Sequence, residues 1–94
     1  MNRYVIERDI PGVGSVSADE LRATARASCD ALRELGPDVQ WVQSHITDDR
    51  IYCVYLAESE EIVREHACIA GIPATKISQV MHIADPTTAN GVTR

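Results

Sequence analysis

One stretch constrains the fold of this chain more than any other. Residues 51–71 read Ile-Tyr-Cys-Val-Tyr-Leu-Ala and then Glu-Ser-Glu-Glu-Ile-Val-Arg-Glu-His-Ala-Cys-Ile-Ala-Gly. The first part is β-branched and aromatic, as a strand requires. The second spaces Ile62, Val63, His66, Ile69 and Ala70 at helical intervals. Ser59 is placed to cap the helix, and Glu60 and Glu61 suit its positive end. Gly71 and Pro73 close it. A strand therefore runs straight into a bounded helix.

The rest of the chain repeats this alternation. Arg3 to Ile10 reads as a strand, with Tyr4, Ile6 and Ile10 on one face and Val5, Glu7 and Asp9 on the other. Pro11-Gly12-Val13-Gly14 breaks it as a turn. Ser17-Ala18-Asp19-Glu20 is a capping box opening a helix that runs to Leu35. Its predicted core stripe is Leu21, Ala25, Ser28, Cys29, Leu32 and Leu35. Gly36 and Pro37 end it. Val39 to Ile46 and Ile51 to Ala57 are strands joined at Asp48-Asp49, and Lys76 to Ile83 is a last strand.

The order β-α-β-β-α-β predicts an α+β, ferredoxin-like sandwich: a four-stranded antiparallel sheet with two helices on one face. Residues 1–86 form this domain, and residues 87–94 are a polar C-terminal tail. A hairpin centred on Asp48-Asp49 pairs His45 with Tyr52, Gln43 with Val54 and Trp41 with Leu56 on one face. The other face pairs Ile46 with Ile51, Ser44 with Cys53 and Val42 with Tyr55. Both faces are partly apolar, so both want cover. Helices cover one, and a second copy of the chain is the simplest cover for the other. A chain of 94 residues buries only about 60–65% of its unfolded surface, so a dimer interface would help it.

Charge and cysteine usage narrow the partners. The net charge is −5 and Lys and Arg never adjoin, which argues against nucleic acid and anionic membranes. No apolar run approaches the ~20 residues needed to span a bilayer. Met1 to Tyr4 leads directly into a strand pattern, so no signal peptide is expected. Cys29, Cys53 and Cys68 are an odd set with no Cys-x-x-Cys, as suits free thiols in a reducing compartment. The expected location is the cytoplasm.

Candidate chemistry centres on a few side chains. His66 falls inside an apolar helix arc, while Glu61, Glu65 and Cys68 share the opposite face. It is either a core histidine bonded to a backbone carbonyl or a functional imidazole with a carboxylate or thiol beside it. Cys53 is an inert core thiol, or a nucleophile if His66 lowers its pKa. Glu7 interrupts an apolar strand. It either joins His45, Gln43 and Trp41 in a polar patch suited to a ligand, or pairs with an arginine across a dimer interface. His82 belongs to the surface or an interface. Imidazoles mixed with carboxylates suit nickel, copper or zinc. No phosphate-binding glycine loop, nucleophile elbow or Cys₂His₂ spacing is present.

Three segments resemble a family of small bacterial proteins of unassigned function that includes a nickel-binding protein. They are Arg-Tyr-Val-Ile-Glu-Arg with its following Pro-Gly, Thr-Asp-Asp-Arg-Ile-Tyr-Cys-Val-Tyr-Leu-Ala, and Glu-Glu-Ile-Val-Arg-Glu-His-Ala-x-x-Ala-Gly-Ile-Pro-Ala. The resemblance spans Arg3 to Pro86. It implies a ferredoxin-like homodimer, joined through the sheet face, with nickel bound at the dimer surface. On this reading the metal ligands are His66, His45, Glu65 and Cys53, the ion is Ni²⁺ with other divalent transition metals left open, and no catalysis is assigned. The alternative is a small-molecule-binding protein or enzyme of the dimeric α+β barrel type. Its pocket on the sheet would be lined by Glu7, Trp41, Gln43, Tyr52 and Tyr55.

Overall fold

A computed structural model describes residues 1–92. Strand β1 (Asn2–Asp9) leads through a 3-10 turn at Val13–Ser15 to helix α1 (Ala18–Leu35). Strands β2 (Val39–Ile46) and β3 (Arg50–Ala57) form the central hairpin, and helix α2 (Glu60–Ala70) and strand β4 (Lys76–Gln79) follow. A second 3-10 turn spans Pro86–Asn90. The strands lie in the order β2-β3-β1-β4, every neighbouring pair antiparallel. This is the ferredoxin-like α+β sandwich that the element order predicts.

Local chemistry sets the helix bounds. Ser17 Oγ accepts from Glu20 N at 3.1 Å and Ser59 Oγ from Ile62 N at 3.4 Å, each occupying a donor the helix leaves unused. Gly71 ends α2 in the left-handed conformation, φ 72°, which a β-carbon would resist. Strand alternation then sorts the sheet. Tyr4, Ile6, Ile51, Cys53, Tyr55 and Ala57 are buried on the helix side, while Val5, Glu7, Tyr52, Val54 and Leu56 are half-buried on the open side.

Three expectations need correction. Strand β2 carries a bulge between Trp41 and Gln43, so that Trp41 pairs with Tyr55 and Gln40 with Leu56. One extra residue flips every side chain beyond it. Trp41 therefore faces the helices, and Val42 is 46% exposed. The pairs nearer the turn, His45 with Tyr52 and Ser44 with Cys53, are as predicted. The last strand stops at Gln79, not Ile83. Gln79 pairs with Tyr4 and Val80 N bonds to Arg3 O, after which β1 has almost run out and offers no further partner. The core stripe of α1 is also offset. Ser28 and Ala31 are its buried residues, while Leu21 and Cys29 are exposed.

Candidate functional site

The placement of α1 leaves a concavity beneath it. In the N-terminal half of the helix the inward residues are small, Ala25 and Ser28, whereas Leu32 and Leu35 pack against the core further along; Ser28 meets His66 of α2. Small side chains permit close helix contact but cannot fill the space over a sheet. A cavity of about 490 Å³ is left between α1, the loop from Ile10 to Val16 and the strands beneath. Its walls are largely apolar, with Val13, Leu21, Trp41 and Ile51 among them. Its polar groups come from Arg8, Ser28, Ser44, Cys53 and Tyr55.

Arg8 is the most unusual of these. It is 1% exposed, the largest fully buried side chain of the described residues. Strand alternation puts it there: position 8 shares the inward face with Tyr4 and Ile6. Its Nη1 donates to Pro73 O at 2.7 Å and its Nε to Cys53 Sγ at 3.4 Å. Its Nη2 has no partner, and no carboxylate pairs with it among the described residues. The period-2 pattern of β1 carried the signal for this residue, since it points position 8 inward between Ile6 and Ile10.

Two hydrogen-bonded groups share this region. In the first, Trp41 Nε1 donates to Ser44 Oγ at 2.9 Å, and Ser44 Oγ donates to Cys53 Sγ at 3.0 Å. The Cys53 sulfur thus accepts from both Ser44 and Arg8. In the second, His66 is wholly buried, with Nε2 3.1 Å from Ser28 Oγ and 3.2 Å from Ser28 O. A carbonyl only accepts, so Nε2 carries the proton and Nδ1 is left as an acceptor without a partner. Burial pushes the imidazole below its usual range, the bond to Ser28 O opposes this, and the charge of Arg8 adds to it. The ring tilts against Tyr55 with centroids 5.0 Å apart. Burial pushes the Tyr55 phenol up, against the opposing influence of Ser28 and Arg8. His66 is thus a core histidine bonded to a backbone carbonyl, and its hydrogen bonds go to Ser28 while those of Cys53 go elsewhere.

The remaining candidates lie apart. His45 is exposed on the open side of the sheet, with Nε2 3.3 Å from Gln43 Nε2. Glu65 is exposed on α2, and Cys29 and Cys68 are exposed free thiols. His82 is exposed beyond β4. Glu7 sits 3.9 Å from Arg50 of its own chain, which also meets Asp9 at 2.8 Å, so its arginine is on the neighbouring strand. The structure does not bring His66, His45, Glu65 and Cys53 into one group. Among the described residues, no three His, Cys, Asp or Glu side chains stand close enough to share an ion. The described residues of one copy therefore offer no three-donor group for a nickel ion. The five predicted pocket residues divide between the faces. Trp41 and Tyr55 line the cavity, while Glu7, Gln43 and Tyr52 lie on the open side. No helix among the described residues is long and apolar enough to cross a membrane.

Comparison with known proteins bears on the fold and the family. No curated protein matches the chain. The crystal structure of SCO4226 from Streptomyces coelicolor A3(2) superposes with a TM-score of 0.74 at 21% identity, covering 87% of this chain and 99% of that one. At this identity the likeness speaks for the fold. A family model described as nickel responsive protein SCO4226-like matches residues 4–80, which takes in both helices, β2, β3, β4 and all but the first two residues of β1. The chain therefore belongs to the SCO4226-like family of nickel responsive proteins.

Proposed function

We propose that the protein is a non-catalytic, nickel-binding member of its family that works as a homodimer, its copies joined through the open side of the sheet and the ion held by donors from both. The observation that carries this reading is the open face itself. The helices leave it uncovered, it presents half-buried Val5, Val54 and Leu56, and an exposed imidazole, His45, stands on it. A partly apolar sheet face in a small domain gains from cover. The family's description supports nickel as the ion. The ligand set is completed across the interface, since one copy lacks it.

Calorimetric titration of tag-free protein with Ni²⁺, alongside light scattering, tests this. The expected result is a dimer that binds at micromolar metal. His45→Ala should weaken binding by at least the roughly 10–100-fold that even outer-shell changes cause. A well-folded monomer, or binding indifferent to His45→Ala, would sink the proposal.

A second reading is favoured by one further observation. The apolar cavity under α1 falls within the roughly 300–1,000 Å³ of small-molecule sites, and it is lined by a few convergent polar groups. A small-molecule-binding protein of ferredoxin-like fold would use this cavity on the helix side of the sheet.

A further inference from the structure

We infer that the cavity under α1 binds a small, largely apolar monoanion, a carboxylate on a hydrocarbon or aromatic body, with Arg8 as its anion-binding group. The inference rests on the small-molecule reading and names the ligand class. It starts from the charge balance of Arg8. A guanidinium cannot shed its proton inside a protein, so its charge stays wherever the fold puts it. Here it is 1% exposed, and among the described residues its hydrogen bonds go to the Pro73 carbonyl and the Cys53 sulfur, with the Tyr55 phenol also interacting with it. Among the described residues no carboxylate pairs with the guanidinium, and Nη2 has no partner. A buried cation without a counter-charge is a costly arrangement, and one that an anionic ligand would relieve.

The surroundings define the rest of the ligand. Ser28 and Tyr55 place hydroxyl groups around the same cavity, and hydroxyls can donate to a carboxylate, whereas the Ser44 hydroxyl already gives its proton to Cys53 Sγ. Ser44 and Tyr55 flank the sheet floor, and Ser28 comes from α1 above it. With Nε and Nη1 engaged by Cys53 and Pro73, Arg8 keeps the N–H groups of Nη2 for a charge-assisted hydrogen bond to a carboxylate. One cationic side chain matches one negative charge, which disfavours a phosphate dianion. The positive charge also disfavours a metal cation in this cavity. Val13, Leu21, Trp41 and Ile51 make the walls apolar, so the body of the ligand is hydrocarbon. Leu21, 42% exposed, and exposed Thr24 mark the mouth on the α1 side.

The chain has a built-in reporter, because Trp41 is its only tryptophan and lines the cavity. The full chain, free of tags, is titrated with decanoate and separately with decanol, following Trp41 emission and checking affinity by calorimetry. Decanoate should bind at least tenfold more tightly than decanol. Arg8→Gln should abolish that preference while leaving decanol binding in place. Thr24→Phe, an exposed position at the mouth, tests the site without disturbing the buried network, and it should weaken both ligands about equally. Circular dichroism on each variant confirms folding, so that the Thr24→Phe result decides the location if Arg8→Gln is unfolded. Equal affinity for acid and alcohol overturns the anion assignment and leaves the small-molecule reading standing. Binding of neither probe overturns both. Tight decanoate binding that is insensitive to Thr24→Phe, and to Arg8→Gln where that variant folds, places the ligand elsewhere and overturns the inference.

Discussion

Around α2 the side chains of Ile6, Val63 and His66 are completely enclosed, whereas the N-terminal half of α1 stands off the same sheet face and leaves a cavity. Each helix is opened by a serine cap and ended at a glycine, and both lie on the same sheet, so the caps do not explain the difference. Side-chain volume does. Helix α2 turns Val63 and His66 inward, large enough to reach the strands, with Ala67 closing the row. The N-terminal half of α1 turns only Ala25 and Ser28 inward, with its larger Leu21 at the margin, and Leu32 and Leu35 reach the core only in the second half. Close-packed interiors tolerate few voids. A void that persists beside a buried cation is therefore where binding is to be sought, and the tightly packed half is where stability resides.

The largest expected effect breaks this comparison directly. Ile6→Ala should cost about 2–5 kcal/mol in chemical denaturation, because the void it leaves is new. Ile51→Ala, at a position that already borders the cavity, should cost less by about 1 kcal/mol or more, since the site is already incompletely packed. Equal losses would show that the cavity is closed in solution.

An intermediate effect concerns how the cavity is held open. Its far wall is the loop from Ile10 to Val16, tied to the hairpin by Ile10 N to Asp49 O at 3.0 Å and Gly14 N to Asp48 O at 2.9 Å. A β-carbon on Gly14 would meet Thr47 O at 2.7 Å and Asp48 Cα at 2.8 Å, both backbone atoms. Gly14→Ala should therefore destabilise by about 1–3 kcal/mol, measured by thermal unfolding. A variant as stable as the parent would mean that the loop moves freely over the cavity.

The smallest effect sharpens the comparison through pH. Burial lowers the pKa of His66 in the folded state below its unfolded value of roughly 6.5. Below that unfolded value the unfolded chain binds a proton that the native core resists. The contribution to stability is therefore intact above about pH 6.5 and is lost as the pH falls through and below it. His66→Gln, which keeps an N–H for the Ser28 carbonyl, should flatten this part of the stability profile below roughly pH 6.5. An unchanged profile would show that His66 is not the group responsible.

Much of the architecture was legible because its signals are local. Ser17 and Ser59 announce helix starts, Gly71 a helix end, and Asp48-Asp49 the hairpin, each through bonds made within a few residues. The register near that turn was legible for the same reason. The candidate site was legible only in part. Trp41 and Tyr55 were named as pocket residues, but on the wrong relation to Glu7, Gln43 and Tyr52, because the bulge at Val42 shifts parity without a local mark. Arg8 was missed although its position in the alternation is plain. Expectation places arginine in water, and only a packed structure shows the opposite.

What the sequence determined by itself, then, is the alternation of strands and helices, the caps that bound them, and so the sandwich. These follow from backbone hydrogen bonding and from the periods of the apolar residues. What only the tertiary structure decided is which way the upper half of β2 faces, where α1 fails to meet the sheet, and that a guanidinium lies beneath that gap with no carboxylate partner among the described residues. Those facts depend on how side-chain volumes from distant segments add up in space. No window along the chain contains that sum.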